Sequence, residues 1–267
     1  MRLRRYRRLF KSSLIELLQF RVSLAVSFLG NIIYLVIIYF LWKAIYASAT
    51  STVINGMTFQ DTMIYLVLAT GLHSFMEQYI VFAFGRDIQS GKIALDLVKP
   101  VRYRMYLFFS CIGTSVGNFF VIFIPTFLIV YIITGGAITL NLNLLYFLAS
   151  TLLSILIYYY IEFFVATICL YTMSIWGINT MRQIIVSFFS GATIPIAFFP
   201  HAFKKVVMCL PFQAIYNAPL TLLIHHEKST CECFEILLIQ LFWVITLCIC
   251  TALFWNHSIK KITVNGG

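Results

Sequence analysis

Long apolar runs alternate with short polar ones over the whole chain. Six windows reach or approach the roughly 20 residues that cross a hydrocarbon core of about 30 Å: 22–42, 58–83, 105–133, 143–173, 183–199 and 236–255. Each predicts a membrane-spanning helix. Two segments depart from this simple alternation. Ahead of the first window, Leu3, Tyr6, Phe10, Leu14 and Leu17 recur at helical spacing while Arg4, Arg8 and Lys11 fall on the other side. That stripe predicts an amphipathic helix over 1–21 lying on the inner leaflet, with Arg4, Arg5, Arg8 and Lys11 toward the headgroups. A disordered basic tail that only sets topology is the alternative, and the segment is too basic to read simply as a cleaved signal peptide.

The second departure is 195–235, which carries Pro195, Pro200, Pro211 and Pro219, four of the six prolines. Proline at this density breaks helices, and Gln213 and Asn217 add polar groups. The segment therefore predicts two short helices that dip into the outer leaflet and return, an external hairpin over 200–235 before the last span. Such a hairpin is tolerable only where protein or water covers its broken backbone. A seventh span within 206–224 is the alternative, but it carries Lys260 and Lys261 outside.

Composition turns this pattern into a class. With 61% apolar, 17% aromatic and 10% charged residues in 267, the chain is far from the roughly 25% charged of a soluble domain. It reads as an all-α membrane protein in one domain, 1–267, of six spans. Short cytoplasmic loops retain Lys and Arg. Placing the N-terminus inside leaves only Lys43, Lys204, Lys205 and Lys228 of the 19 basic residues outside, so both termini are expected in the cytoplasm. The formal charge of +10 then follows from topology and anionic lipid, and no nucleic-acid module is visible.

The most polar interior run is GRDIQSGKIALDLVKPVRYR, 85–104. It nearly spells a phosphate-binding loop, but five residues separate Gly85 from Gly91 and Ile93 stands where a hydroxyl is needed for magnesium. The chain is therefore expected to hold no nucleotide site and no cofactor. Gly113-Thr114-Ser115-Val116-Gly117 matches the serine-hydrolase elbow in letters, yet it lies within a span, where Gly113 and Gly117 at this spacing suit close helix packing. His225, His226, Glu227, Cys231 and Cys233 cluster in the last external loop. Zinc, a disulfide and ordinary loop polarity remain open there, although the spacing is unlike closed zinc sites. Ionisable groups within the spans are few: His73, Glu77 and Glu162. Glu162 reads either as a packing residue that is protonated or hydrogen-bonded, or as a relay or substrate contact. On the first reading Glu162→Gln retains export, because an amide keeps the hydrogen bonds of a neutral acid.

The run Ser90-Gly91-x-Ile93-x-x-Asp96-Leu97-x-x-Pro100-Val101 resembles the cytoplasmic loop of the permeases of type-2 ATP-binding-cassette exporters, in a bacterial branch of uncharacterised transport systems. The basic first helix, the six spans and the proline-rich hairpin are similar to the same family, and Lys99 departs mildly from the Arg expected before the proline. The resemblance implies that Gly91, Lys92, Ile93, Asp96, Leu97, Lys99 and Pro100 form a coupling helix docking into a separate ATPase dimer, which would supply ATP and Mg. It also implies a second permease subunit, a different chain or a second copy, and a bacterial plasma membrane location with substrate expelled outward. On physical grounds, Gly91 and Pro100 bracket a two-turn plug in which Ile93 and Leu97 fill an apolar notch while Lys92, Asp96 and Lys99 make rim contacts. An ion-driven carrier or a non-transporting scaffold has no need of such a plug. The scarcity of charge along the spans favours an amphipathic or hydrophobic cargo over a polyanion.

Overall fold

The computed structural model describes residues 2–19, 21–98, 102–134, 143–172, 175–224 and 229–261. The protein is an all-α membrane protein. Its helices are α1 Arg2–Gln19, α2 Arg21–Ser48, α3 Phe59–Met76, α4 Ile80–Gln89, α5 Lys92–Val98 and α6 Tyr103–Asn118. They continue as α7 Ile124–Ile133, α8 Asn143–Thr172, α9 Trp176–Phe189, α10 His201–Met208, α11 Asn217–Ile224 and α12 Thr230–Ser258. A small hairpin, β1 Val53–Ile54 and β2 Met57–Thr58, turns at Asn55-Gly56 between α2 and α3.

Five of these stretches are long and apolar enough to cross a membrane: Phe28–Ser48, Phe59–Gln89, Tyr103–Ile133, Asn143–Thr172 and Thr230–Ser258. Local chemistry fixes where two of them begin. Thr58 accepts from the Asp61 amide while the Asp61 carboxylate accepts from the Thr58 amide, and Ser229 and Glu232 do the same ahead of α12. Both are capping boxes, which satisfy amides that a helix leaves orphaned. The third span changes pitch at a π-turn over Phe119–Phe123, directly before Pro125 in the first turn of α7.

The expected fifth span, 183–199, takes a different form. Its helix α9 starts earlier, at Trp176, and stops after 14 residues at Phe189, about 21 Å at 1.5 Å per residue. The chain then turns through Gly191, whose φ is 82° and whose hydrogen would become a Cβ only 2.8 Å from the Tyr65 hydroxyl. Only a glycine makes that turn without strain.

The four prolines of 195–235 explain why the following residues form short pieces. Pro195 and Pro200 cap a 3-10 turn and α10, Pro211 opens a second 3-10 turn over Pro211–Ala214, and Pro219 sits in the first turn of α11. Each occupies a helix start, where a missing N–H costs nothing. The result is a run of short helical pieces, in the place of the expected hairpin, whose Val207, Ile215, Tyr216, Leu220 and Leu222 are fully buried. Its bend is covered by protein: the Ala214 carbonyl accepts from Gln240 Nε2 at 2.8 Å and lies 2.9 Å from Ser154 Oγ.

α8 is the central post, flanked by α4, α11 and α12. The hairpin lies toward its first half, at Ser154. α5 lies toward its second half, where Ile93 shares a buried core with Ala166 and Cys169. α1 packs along α6, with Arg8 and Lys11 exposed and Ser13 buried. The close approach runs through Gly113, since a Cβ there would lie 2.5 Å from the Phe10 carbonyl and 2.9 Å from Ser13 Cβ. The packing reading of the Gly-x-Ser-x-Gly run thus has a specific partner, and Gly117 is buried on the same helix. Gly113→Val is expected to unseat α1 at a cost of about 1–3 kcal/mol. Faster tryptic cleavage at Lys11 in the variant would show it; wild-type protection would refute it.

Candidate functional site

Two groupings of the residues singled out above stand at the two ends of one short helix. The first is a break in the second span. α3 ends at Met76 and α4 restarts at Ile80, with Tyr79 between them in the left-handed region at φ 51° and no side chain of the break capping α4. The missing cap comes from α8. Glu162 Oε2 accepts from the amide of Ile80 at 2.9 Å and of Val81 at 3.3 Å. A carboxylate at a helix N-terminus meets both the orphan amides and the positive end of the helix dipole.

That carboxylate is not isolated. Arg182 Nη2 from α9 lies 2.9 Å from Glu162 Oε1, with side-chain exposures of 2% and 0%. The pairing is by charge and proximity more than by an aligned hydrogen bond, since Oε1 accepts none. The guanidinium also donates to the Tyr158 hydroxyl at 2.9 Å and to Asn179 Oδ1 at 3.0 and 3.3 Å. Arg182, which the charge pattern leaves on the cytoplasmic side, is therefore the buried partner of Glu162. Sequence spacing gave no sign of this, because the pair is joined only by the fold.

Around the break, Glu77 Oε1 accepts from Gln183 Nε2 at 2.7 Å and Glu77 Oε2 from the Tyr79 hydroxyl at 3.0 Å. His73 Nδ1 is 3.1 Å from the Tyr216 hydroxyl of the hairpin. His73, Glu77 and Glu162 are thus drawn into one polar system linking α3, α4, α8, α9 and Tyr216. Beside it is a cavity of about 360 Å3 with neutral hydrogen-bonding walls that include Asn31, Tyr34, Thr70, His73 and Thr193. Pro195 and Pro200 stand past the end of α9, on the hairpin's approach, while Pro211 and Pro219 shape the hairpin itself.

The second grouping is the polar run after α4. Ser90 and Gly91 close α4, Gly91 with φ 70°, and α5 then makes two turns. Its placement differs from the expected plug. Ile93 is buried among Ile80, Phe84, Tyr103, Leu107 and Trp255, with Leu97 packed on the same core, and Asp96 is buried. These three face their own chain. Leu95 at 71% and Val98 at 84% exposure are the apolar side chains pointing away. Periodicity marks an amphipathic helix without saying which apolar positions belong to its own core. Lys92 pairs with Asp87 at 3.3 Å, and that carboxylate lifts its ammonium above the usual lysine range. Asp87 is held in turn by the Tyr103 hydroxyl at 3.2 Å. Lys99 and Pro100 lie outside the described residues.

α4 connects the two groupings, and it is gripped by aromatics. Phe84 meets Tyr103, Phe163 and Trp255 with ring centroids 5.8–6.2 Å apart, and Tyr103 stacks on Trp255 at 5.7 Å. Of the last-loop cluster, His225, His226 and Glu227 lie outside the described residues; Cys231 is exposed and Cys233 buried near the start of α12. The side chains of Arg4 and Arg5 are likewise outside the described set.

A broken, polar-capped span, a short helix at its end and short helical pieces closed by α8 and α12 belong here to a polytopic membrane protein. The family model for ABC-2 family transporter proteins matches residues 32–266. The chain belongs to that family. Comparison with curated proteins gives no match.

Proposed function

We propose that the chain is the permease subunit of an ATP-driven exporter, with α5 as its coupling helix and α4 as the lever between that helix and the membrane interior. The observation that carries this reading is the geometry of α5: a two-turn helix fixed to its own core by Ile93 and Leu97, yet presenting Leu95 and Val98 to the outside. Unsatisfied apolar surface of this kind, rimmed by Lys92, suits a pocket on another protein. The ABC-2 family implies an ATPase in the same system, and α5 is the part of this chain shaped to meet it. ATP and Mg belong to that partner on this reading, and this chain performs no hydrolysis.

The mechanism follows from rigidity. α4 is 10 residues, about 15 Å, fixed at one end to α5 through the turn at Gly91. At the other end it stops at the Glu77–Tyr79 break. A push on α5 therefore tilts α4 about the break, where Glu162 and Arg182 hold the helix start, and the motion reaches α8 and α9 directly. From there the Glu77–Gln183 and His73–Tyr216 contacts lead to the hairpin. The adjacent cavity, whose mostly apolar lining is dotted with uncharged hydrogen-bonding groups, supports an amphipathic, uncharged cargo, and a second permease subunit beside this one would complete the pathway. Both termini and α5 lie at the cytoplasmic face on this reading, with the hairpin outside, in a bacterial plasma membrane.

Leu95→Asp with Val98→Asp tests it. Both residues are exposed, so insertion and thermal stability should stay at wild-type level, while co-purification of the ATPase and export should fall to background. Undiminished association would overturn the coupling role. Asp96→Lys is a poorer probe, because Asp96 is buried and its replacement would disturb the chain's own packing.

A further inference from the structure

We propose that the cavity bounded by α4, α5 and α6 binds the phosphodiester headgroup of an anionic phospholipid. This goes beyond the permease reading and rests on it only in placing α5 at the inner face of the membrane.

The cavity is an open groove of about 710 Å3, ample for a headgroup and its glycerol. Its lining is graded. Ala83 and Leu107 are one turn or more inside their spans and supply apolar wall, whereas Arg86, Gln89, Ser90 and Lys92 stand where α4 gives way to α5. A molecule that is charged at one end and greasy at the other matches that gradient; a free soluble anion uses only half of it. Basic pockets between membrane helices on the inner side suit anionic headgroups for this reason.

The charge count selects the anion further. Lys92 is compensated by Asp87 at 3.3 Å. Arg86 is exposed and pairs with no carboxylate among the described residues. Among the described residues that line it, the cavity mouth therefore carries one uncompensated positive charge, on a guanidinium whose planar fork fits two phosphate oxygens. A phosphodiester carries one negative charge and balances it, whereas a nucleotide triphosphate would bring several. Ser110 lines the inner wall; its hydroxyl donates to the Leu107 carbonyl at 2.9 Å, and its oxygen can still accept from a headgroup hydroxyl. The headgroup would bridge α4 to α6 beside the turn that carries α5.

The test uses the purified full chain in nanodiscs of phosphatidylcholine, with or without phosphatidylglycerol. Phosphatidylglycerol should raise the midpoint of thermal unfolding of the wild type by about 2–4 °C. Arg86→Gln should lose most of that rise, and Lys260→Gln, which removes another exposed cation, should keep it. Ser110→Phe, which fills the inner wall without altering charge, should lose it as well and guards against a general charge effect. Inorganic phosphate added to phosphatidylcholine discs should produce no rise. A full rise in Arg86→Gln and Ser110→Phe would overturn the site, and an equal rise with inorganic phosphate would replace the lipid with a soluble anion. Because no ATPase is present, failure here leaves the coupling role of Leu95 and Val98 to its own test.

Discussion

Glu162→Gln is expected to destabilise the folded chain by about 3–5 kcal/mol, because it leaves the Arg182 guanidinium charged and buried without its counter-ion. Glutamine still offers an oxygen to the amides of Ile80 and Val81, so the loss is one of charge more than of hydrogen bonds. On the reading of Glu162 as a neutral packing residue Glu162→Gln retains export; the Arg182 partner leads to the opposite expectation. The pairing also changes the choice between mechanisms. An acid already balanced by an arginine 2.9 Å away is suited to holding a helix start in place, which weakens the case for an ion-driven carrier relaying protons through Glu162. Denaturation of the purified single variant, of Arg182→Met and of the double variant measures the effect. Each single change should be severe and the double variant should recover much of the loss, since neighbours in one ion pair are strongly non-additive. Two mild, additive single effects would show that the pair does not carry the break.

How the chain disclosed itself follows from the range of each interaction. Apolar length marked the spans, and helix-start chemistry such as Thr58–Asp61 and Ser229–Glu232 is local enough to be written in a few residues. The proline spacing marked a series of short, interrupted helices because each proline acts on its own turn. The break between Met76 and Ile80 was invisible: Glu77-Gln78-Tyr79 contains neither glycine nor proline, and what stabilises it is a carboxylate on α8. The same holds for Arg182, whose partner lies 20 positions earlier on another helix, and for α9, whose apolar run reads past Phe189 although its helix ends there. Even in the polar run 85–104 the existence of a short helix was legible, but its inward face was not. Ile93 finds its core in Phe84, Tyr103 and Trp255, residues brought from three different helices.

Gln240→Leu combined with Ser154→Ala is expected to loosen the hairpin selectively, by the same logic of a broken backbone completed from elsewhere. The Ala214 carbonyl sits at the bend before α11, where no helix supplies a donor, and the Gln240 amide reaches it at 2.8 Å. Gln240 Nε2 also lies 3.1 Å from Ser154 Oγ and 3.3 Å from the Ser150 carbonyl. The single Ser154 proton can serve either Ser150 or Ala214, both 2.9 Å away, so the glutamine is the principal donor to the bend. Removing both leaves a buried carbonyl unpaired in apolar surroundings, at a cost of about 1–3 kcal/mol. The hairpin should answer before the rest of the molecule, because α5 and its aromatic core lie toward the other end of α8. A cysteine at His201, in a version otherwise free of cysteine, should react faster with a membrane-impermeant thiol reagent applied outside intact cells. Export should fall while co-purification of the ATPase stays normal. Unchanged labelling and export would mean that the bend is satisfied by water, and that the hairpin's closure does not depend on α8 and α12.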